Sequence, residues 1–543
     1  MAVPWALISF ACLVLLAPAE SGSQSHHQTA DTRARPASSR VVQFPSSDLG
    51  RIDFPTSGAP AAQAHFVRGI AWLHSFGYDQ ALEEFREAER LDPGFALAYW
   101  GEAMTHFRPI WYAHDVEAGR AALARLGPTP EIRASKASTA RERAYMNAVE
   151  TLFGPGDVRA QVTGFAAVLE TLAASNPADD EAACFQAVAL FGRVQILGDD
   201  PQLLMRAAAI AERVFARNAS HPGAAHLIIH AYDDRDHAAR ALPAARAYAG
   251  LAPVSSHARH MPSHIFLQLG MWKEAAASDE AAFAVTDAGV RRAGRPLADR
   301  DYHPQTWLVY EYLQLGRFAD AKRALKPFEE AIAQAKNPAL ENELATLRAY
   351  YLIESRRWTE IAGQKAFANI DELFAVAFSA VKLRDLDRAE AARGVFEKIA
   401  TTDQNKDRRE MGAIMERQIA GLIAIADGHQ NEGVTALRTA VELEGRLPRP
   451  VGRPHPIKPS HELLGEVLLD LGRPKEARMY FEQALSRAAN RSRSVLGLAR
   501  AASQLGDTSG ARRHYQQFLA NWQKADAGLP ELKEARAYKP SPQ

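Results

Sequence analysis

Seven of the chain's 18 histidines fall between His221 and His264. The text there reads HPGAAHLIIHAYDDRDH, followed by SSHARHMPSHIF. His226 and His230 are four residues apart, as are His260 and His264. Residues four apart on a helix share a face, so each pair offers two imidazole nitrogens side by side. Imidazole is the commonest side-chain ligand for zinc, copper, nickel and iron. The two pairs match position for position at a distance of 34 residues. Adjacent helices carrying them would bring four nitrogens to one side, and His226, His230, His260 and His264 are therefore the candidate metal ligands. The cofactor such ligands would take is a transition metal, zinc or copper ahead of iron or nickel, and otherwise none is expected. Cys12 and Cys184 are the only thiols, so a cysteine-type structural zinc site is excluded.

Other readings of the cluster stay open. Repeats arise by duplication, so matched pairs can be inherited without a metal. Histidines can also contact a peptide or a carboxylated ligand, or form a polar lining that charges at low pH. His221, beside Pro222, reads as a solvated turn residue, and His237 as a surface helix residue. Met261-Pro262 reads as a helix start, because proline is tolerated in a first turn. No phosphate loop, G-x-S-x-G elbow, H-E-x-x-H, C-x-x-C or EF-hand loop occurs. His461-Glu462-Leu463-Leu464-Gly465 begins like a zinc-protease motif, but glycine replaces the second histidine, and capping or packing is expected. Trp100, Trp111 and Tyr112, near His106 and His114, read as core, as does Cys184. No catalytic residue can be named, and whether the protein is an enzyme stays open.

The elements that must position these side chains are helices. Apolar periodicity starts near Ala61 and runs almost to the end, with few strand signals. Gly69, Trp72, Ala81, Phe85, Ala88 and Pro93 form one unit of small, aromatic and terminating positions. Gly465, Gly472, Ala477, Phe481 and Ala484 form another, and Ala499, Gly506, Ala511, Tyr515 and Phe518 a third. Gly472 to Gly506 and Ala477 to Ala511 are each 34 residues, the tetratricopeptide period. Small residues permit close crossing of two antiparallel helices, aromatic residues fill the gap, and proline ends the second helix. The predicted fold is all-α, a tetratricopeptide-repeat solenoid of stacked antiparallel helix pairs.

On these residues the chain resembles tetratricopeptide-repeat proteins over roughly residues 60–525. It is similar to a branch of exported bacterial members with HARHMPSHIF-type and KPSHELLGEVLLDLGRPKEA-type segments, here His257–Phe266 and Lys458–Ala477. The resemblance implies a concave ligand groove lined by His226, His230, His260 and His264. It adds His257 and His303 at a third groove position and Asp233 at a fourth. His257 or His303 would then be further ligands, and Asp233, Asp234 or Asp236 could orient a ring. The repeat architecture and the missing catalytic motifs point to a scaffold that binds a protein, a peptide or another ligand in the concave groove, and the histidine cluster gives the alternative, a metal-binding protein or metal-dependent enzyme.

The expected organisation is a signal peptide at 1–19, a flexible leader at 20–55 and an N-terminal array at 56–330. Degenerate helices follow at 331–444, a proline-rich insertion at 445–459, a C-terminal repeat pair at 460–525 and a tail at 526–543. The insertion, GRLPRPVGRPHPIKP, is expected to be a surface loop rather than a segment laid across the groove. The apolar start and Ala17-Pro18-Ala19 point to export, to the periplasm or outside the cell, with no membrane span left after cleavage. Lys+Arg and Asp+Glu each number 64, and this balance argues against a nucleic-acid partner.

Overall fold

The computed structural model describes residues 46–361, 363–364 and 366–539. The expected signal peptide and most of the leader lie outside these residues. The described chain is all-α apart from one two-stranded hairpin, as its periodicity predicts. It divides into two compact units, one of residues 46–269 with 277–295, the other of 270–276 with 296–539. No described helix is long and apolar enough to cross a membrane.

The first unit begins with α1 (Pro60–His74), α2 (Tyr78–Leu91) and α3 (Ala96–Met104). Strands β1 (Phe107–Arg108) and β2 (Ala113–His114) pair antiparallel, with Phe107 opposite His114. There follow α4 (Val116–Leu126), α5 (Pro130–Ser135), α6 (Ala140–Leu152), α7 (Val158–Ser175), α8 (Asp180–Leu197) and α9 (Gln202–Arg217). Next come α10 (Pro222–Ala231), α11 (Ala238–Leu251) and α12 (Ser256–Gln268). The leader expected up to residue 55 gives way to packed structure sooner. Leu49 and Phe54 are buried, and the Phe54 ring lies 5.1 Å from Phe66 and 5.0 Å from Tyr145.

One packing device recurs in both units. Phe85 is held between Gly69 and Gly101, each sixteen residues away, where an added Cβ would meet the ring at 2.6 and 2.4 Å. Phe481 is held in the same way by Gly465 and Gly497, at 2.9 and 2.3 Å. A buried aromatic ring thus fills the space that two glycines on successive first helices leave open. This explains why glycine is kept inside helices, where it costs about 1 kcal/mol against alanine.

In the second unit the proline-rich stretch 445–459 departs from the surface loop expected of it. Arg453 donates to Glu343 at 2.6 Å, and the His455 ring meets Asp371 at 2.9 Å. The Tyr350 hydroxyl donates to the Pro454 carbonyl, and Gln418 to the Lys458 carbonyl at 2.7 Å. Ile457 and Lys458 are buried. The segment is a strap over helices Pro338–Ser355 and Ile370–Lys382, held by polar contacts that a composition-based reading does not reveal. Glu462, from the truncated zinc-protease look-alike, is buried packing. Arg491 and Lys458 reach it at 2.8 Å and Ser494 at 2.6 Å, so it serves no metal.

The glycine clamp has a direct test. Gly101→Val should lower the stability of the first unit by about 1–3 kcal/mol, because the added branch meets a ring that cannot retreat. Gly250→Ala, in α11 with nothing within 4 Å of the new methyl, should raise it by about 0.5–1 kcal/mol. Urea unfolding of the two variants, read for opposite signs, decides the matter.

Candidate metal centre

The site rests on a buried carboxylate. Glu181, in the first turn of α8, is fully buried and accepts from two imidazoles, His74 Nε2 at 2.7 Å and His221 Nε2 at 3.1 Å. Burial opposes its charge, and the two imidazoles overcome that and hold the carboxyl well below its usual range. His221 is not the solvated turn residue expected from its proline neighbour. It is 1% exposed and caps α10, its Nδ1 accepting from the Ala224 N–H at 3.2 Å. That acceptance fixes its proton on Nε2, where Glu181 takes it. Cys184 is buried as expected, with its sulfur 3.8 Å from His221 Nε2.

His74 carries this anchoring forward. Its backbone carbonyl accepts from His226 Nδ1 at 2.6 Å. With the proton on Nδ1, Nε2 of the neutral His226 ring presents a lone pair, and it lies 3.0 Å from His257 Nε2. Burial first, and the neighbouring His230 second, push the His226 pKa well below its ordinary value, so the ring is neutral at physiological pH. His226, His230 and His257 each offer a ring nitrogen within 4.8 Å of the others'. A neutral imidazole with its far nitrogen fixed by a carbonyl is the usual dress of a metal-ligating histidine.

Phe76 closes one side. Its ring centroid stands 4.2 Å from His226, 5.5 Å from His230 and 5.6 Å from His257. Trp111 lies 5.5 Å from Phe76 and 5.8 Å from His257. Phe76 also lines a small apolar recess with Tyr78, Met104, Phe107 and Val188. Its backbone is left-handed, φ 53°, at the turn where Gly270, Gly316, Gly472 and Gly506 take 69°, 67°, 69° and 75°. In each of the turns after Trp72, Tyr312, Leu468 and Ala502, an N–H five residues on returns to the carbonyl. A phenylalanine in the glycine position is strained and is retained where its ring is needed.

The second pair follows one repeat later. His260 Nδ1 donates to Asp279 at 2.6 Å, and His264 Nδ1 donates to Asp233 at 2.5 Å. The two Nε2 atoms are 3.0 Å apart. Of the three acids expected to orient a ring, Asp233 holds His264, while Asp234 pairs with the half-exposed His237 at 2.7 Å. Asp279 is an orienting residue that sequence reasoning missed. Its separation of nineteen from His260 is also that of His65 and Glu84, paired across α1 and α2 at 2.7 Å, and this spacing was the available signal.

Two expectations are corrected. The single four-nitrogen set of His226, His230, His260 and His264 is replaced by two groups, because His226 turns to His257 and His260 turns to His264. Pro262 does not start α12. The helix starts at Ser256, capped by the Ser255 hydroxyl, and Pro262 lies inside it. His260 is thus fully helical, and the shared face holds for His260 and His264. His303 heads helix His303–Gln314 of the second unit, its ring 5.5 Å from Trp307. Trp100 is core, while Tyr112 is exposed.

These features define an all-α array of helix hairpins bearing a buried histidine centre. The tetratricopeptide-repeat family model matches residues 459–524. No curated protein matches the sequence. Among solved structures, the chain is similar to yeast Tom70 at 12% identity, covering 88% of this chain and 95% of that one, with a TM-score of 0.30. It is similar to the human IFIT1 dimer with PPP-AAAA at 13% identity, covering 86% and 91%, TM-score 0.32. A tetratricopeptide repeat protein from Parabacteroides merdae is 14% identical, covering 52% and 96%, TM-score 0.28. Likeness at these scores carries no weight for function.

Glu181→Ala would leave two buried imidazole N–H groups without an acceptor, so a loss of about 2–6 kcal/mol is expected in urea unfolding. The pH dependence follows from His74 and His226. Burial lowers both pKa values in the folded protein, so the unfolded chain takes up protons first as pH falls. The stability they contribute is present above the unfolded value of about 6.5 and is lost below it. His221, whose burial is outweighed by Cys184 and Glu181 so that its pKa is raised, acts in the opposite sense, so the expectation for the metal-free protein is that His74 and His226 pull its urea midpoint down between pH 7.5 and 5.5. The drop should be smaller in His226→Gln, and an equal drop in both proteins would contradict this assignment.

Proposed function

We propose that this is an exported repeat scaffold that holds a transition metal at His226, His230 and His257. The observation that carries the reading is the His226 ring, kept neutral by burial, with Nδ1 committed to a carbonyl and Nε2 aimed at a second imidazole nitrogen 3.0 Å away. The donors are all nitrogen, which suits zinc or copper over calcium or magnesium. The repeats support a protein-interaction scaffold. The finer reading is that the imidazoles line the concave binding face, where a protein or peptide partner would meet the metal. The amino-terminal apolar segment supports work in the periplasm or outside the cell, where a bound metal would be exchanged with the surroundings.

Purified without a histidine tag, the mature chain is expected to contain zinc or copper at one equivalent or more. Zinc at about a hundredfold over its Kd should stabilise it by about 2.7 kcal/mol. That corresponds to a rise in Tm of roughly 5–10 °C for a unit of this size. The gain at this centre should vanish in the double variant His226→Gln/His257→Gln. Metal-free protein with an unmoved Tm would point instead to a polar groove that contacts peptide directly.

A further inference from the structure

We infer that the inner helices of the second unit form a binding surface for proline-rich basic segments, and that the chain's own strap at 451–457 fills it until a partner protein's segment of the same chemistry displaces it. The topology does not need the strap. Helix Gln430–Gly445 is joined to Ser460–Asp470 by residues 446–459, whereas one repeat later Pro474–Arg487 is joined to Ser492–Gln504 by residues 488–491 alone. Connections between packed helices are normally of the shorter kind. Helix Gln430–Gly445 packs on Lys406–Ala426 before it and on Ser460–Asp470 after it, so the repeats stack through their helices. The additional residues of the strap have another task.

They run across four helices that pack in succession, His303–Gln314, Pro338–Ser355, Ile370–Lys382 and Lys406–Ala426. In a repeat array the face lined by successive first helices is where ligands lie. Each of the four gives the strap a fitted contact. Trp307 leaves room for glycine at 452, since an added Cβ would meet its ring at 2.8 Å. Glu343 takes the Arg453 guanidinium at 2.6 Å, and Asp371 the His455 imidazole at 2.9 Å. Thr346 donates to the other Asp371 oxygen at 3.0 Å and so aims that carboxylate. Between the two acids, the Tyr350 hydroxyl donates to the Pro454 carbonyl, and its ring lies 5.4 Å from the Arg453 guanidinium. Gln418 donates to the Lys458 carbonyl at 2.7 Å. Pro454, Pro456 and Ile457 are buried.

These contacts read an arginine–proline–histidine triplet: one acid for each nitrogen base and one hydroxyl for the carbonyl between them. Proline suits the middle place because its carbonyl accepts, it has no N–H to leave unpaired, and its fixed φ lowers the ordering cost. Side chains and carbonyls are recognised here, not the covalent connection, so a separate segment of the same chemistry satisfies the surface equally. The strap holds its place by tethering, at an effective concentration of about 1 mM. A partner wins by adding contacts beyond the strap. This surface belongs to the second unit and shares no residue with the histidine centre.

The test uses the full-length mature chain and a capped, fluorescent peptide of the strap sequence Val451–Ile457, read by anisotropy. Arg453→Ser/His455→Ser releases the strap. The released variant should bind the peptide at least about tenfold more tightly than the wild type, whose surface is already filled. Adding Glu343→Gln should weaken that binding by about tenfold or more, because a charge-assisted bond is lost. A peptide with serine in place of its arginine and histidine should lose binding at least as far. A folded released variant that binds no more tightly than the wild type overturns the proposal, as does binding that ignores Glu343→Gln. A second measurement needs no variant and decides alone where the released chain does not fold. In the wild type, millimolar unlabelled peptide should speed deuterium exchange of the strap's own N–H groups several-fold, with return on dilution. Unchanged exchange makes the strap a fixed part of the fold and overturns displacement.

Discussion

The first unit is organised around a carboxylate that has no access to water. Glu181 remains charged only because His74 and His221 donate to it, and each of those rings does a second task. His221 caps α10, which sets where that helix begins and so where His226 and His230 stand on it. His74 ends α1 and offers the carbonyl that orients His226. One ion network thus ties three helices together and fixes the tautomer of a histidine that makes no contact with Glu181 itself. His74, Glu181 and His221 could be read as a third metal triad, since their ligand atoms cluster within 4.8 Å. Their nitrogens and oxygens are instead committed to one another and to the α10 cap, so the group is a keel for the neighbouring centre. A buried charge of this kind is a poor source of stability and a good source of register.

Repetition supplies the rest of the geometry. The glycine–phenylalanine–glycine clamp sets the separation of α1 and α3, and the repeat period makes α10 and α12, which carry the histidines, successive first helices. Histidines duplicated at the repeat period therefore arrive as neighbours without a separate device to bring them together. What duplication does not supply is the partner of each Nδ1. His226 uses a carbonyl of α1, His260 a carboxylate nineteen residues on, and His264 a carboxylate of the preceding turn. The rings share a period, but their anchoring is individual.

This division explains what was legible in the sequence. The fold could be read because small and aromatic residues recur at fixed offsets, and every such offset reports a helix crossing. The cluster could be read from composition, and the roles of Asp233 and His257 from their repeat positions. The pairing could not. It depends on which nitrogen finds an acceptor in a neighbouring helix, and Glu181, Asp279 and Phe76 carry no mark of that in a one-dimensional text. His221 was misjudged for the same reason: a histidine beside proline looks like a turn, and only the buried Glu181 opposite makes it a cap. The strap at 445–459 was misjudged because its prolines suggested a loop, while Arg453 and His455 tie it to acids some 110 and 84 residues away.

Proton placement is what the proposed metal centre and a polar lining have in common, and it is set by individual acceptors. Here the N–H of His226, His260 and His264 all point outward, to one carbonyl and two carboxylates, and their lone pairs point inward. Three rings from two adjacent repeats have reached this polarity through three unrelated acceptors. Each orientation follows from the acceptor that its Nδ1 meets, since a carbonyl or a carboxylate takes the proton and leaves Nε2 on the other side of the ring. The proposed cation would meet rings whose Nε2 atoms are already turned to one side by these acceptors.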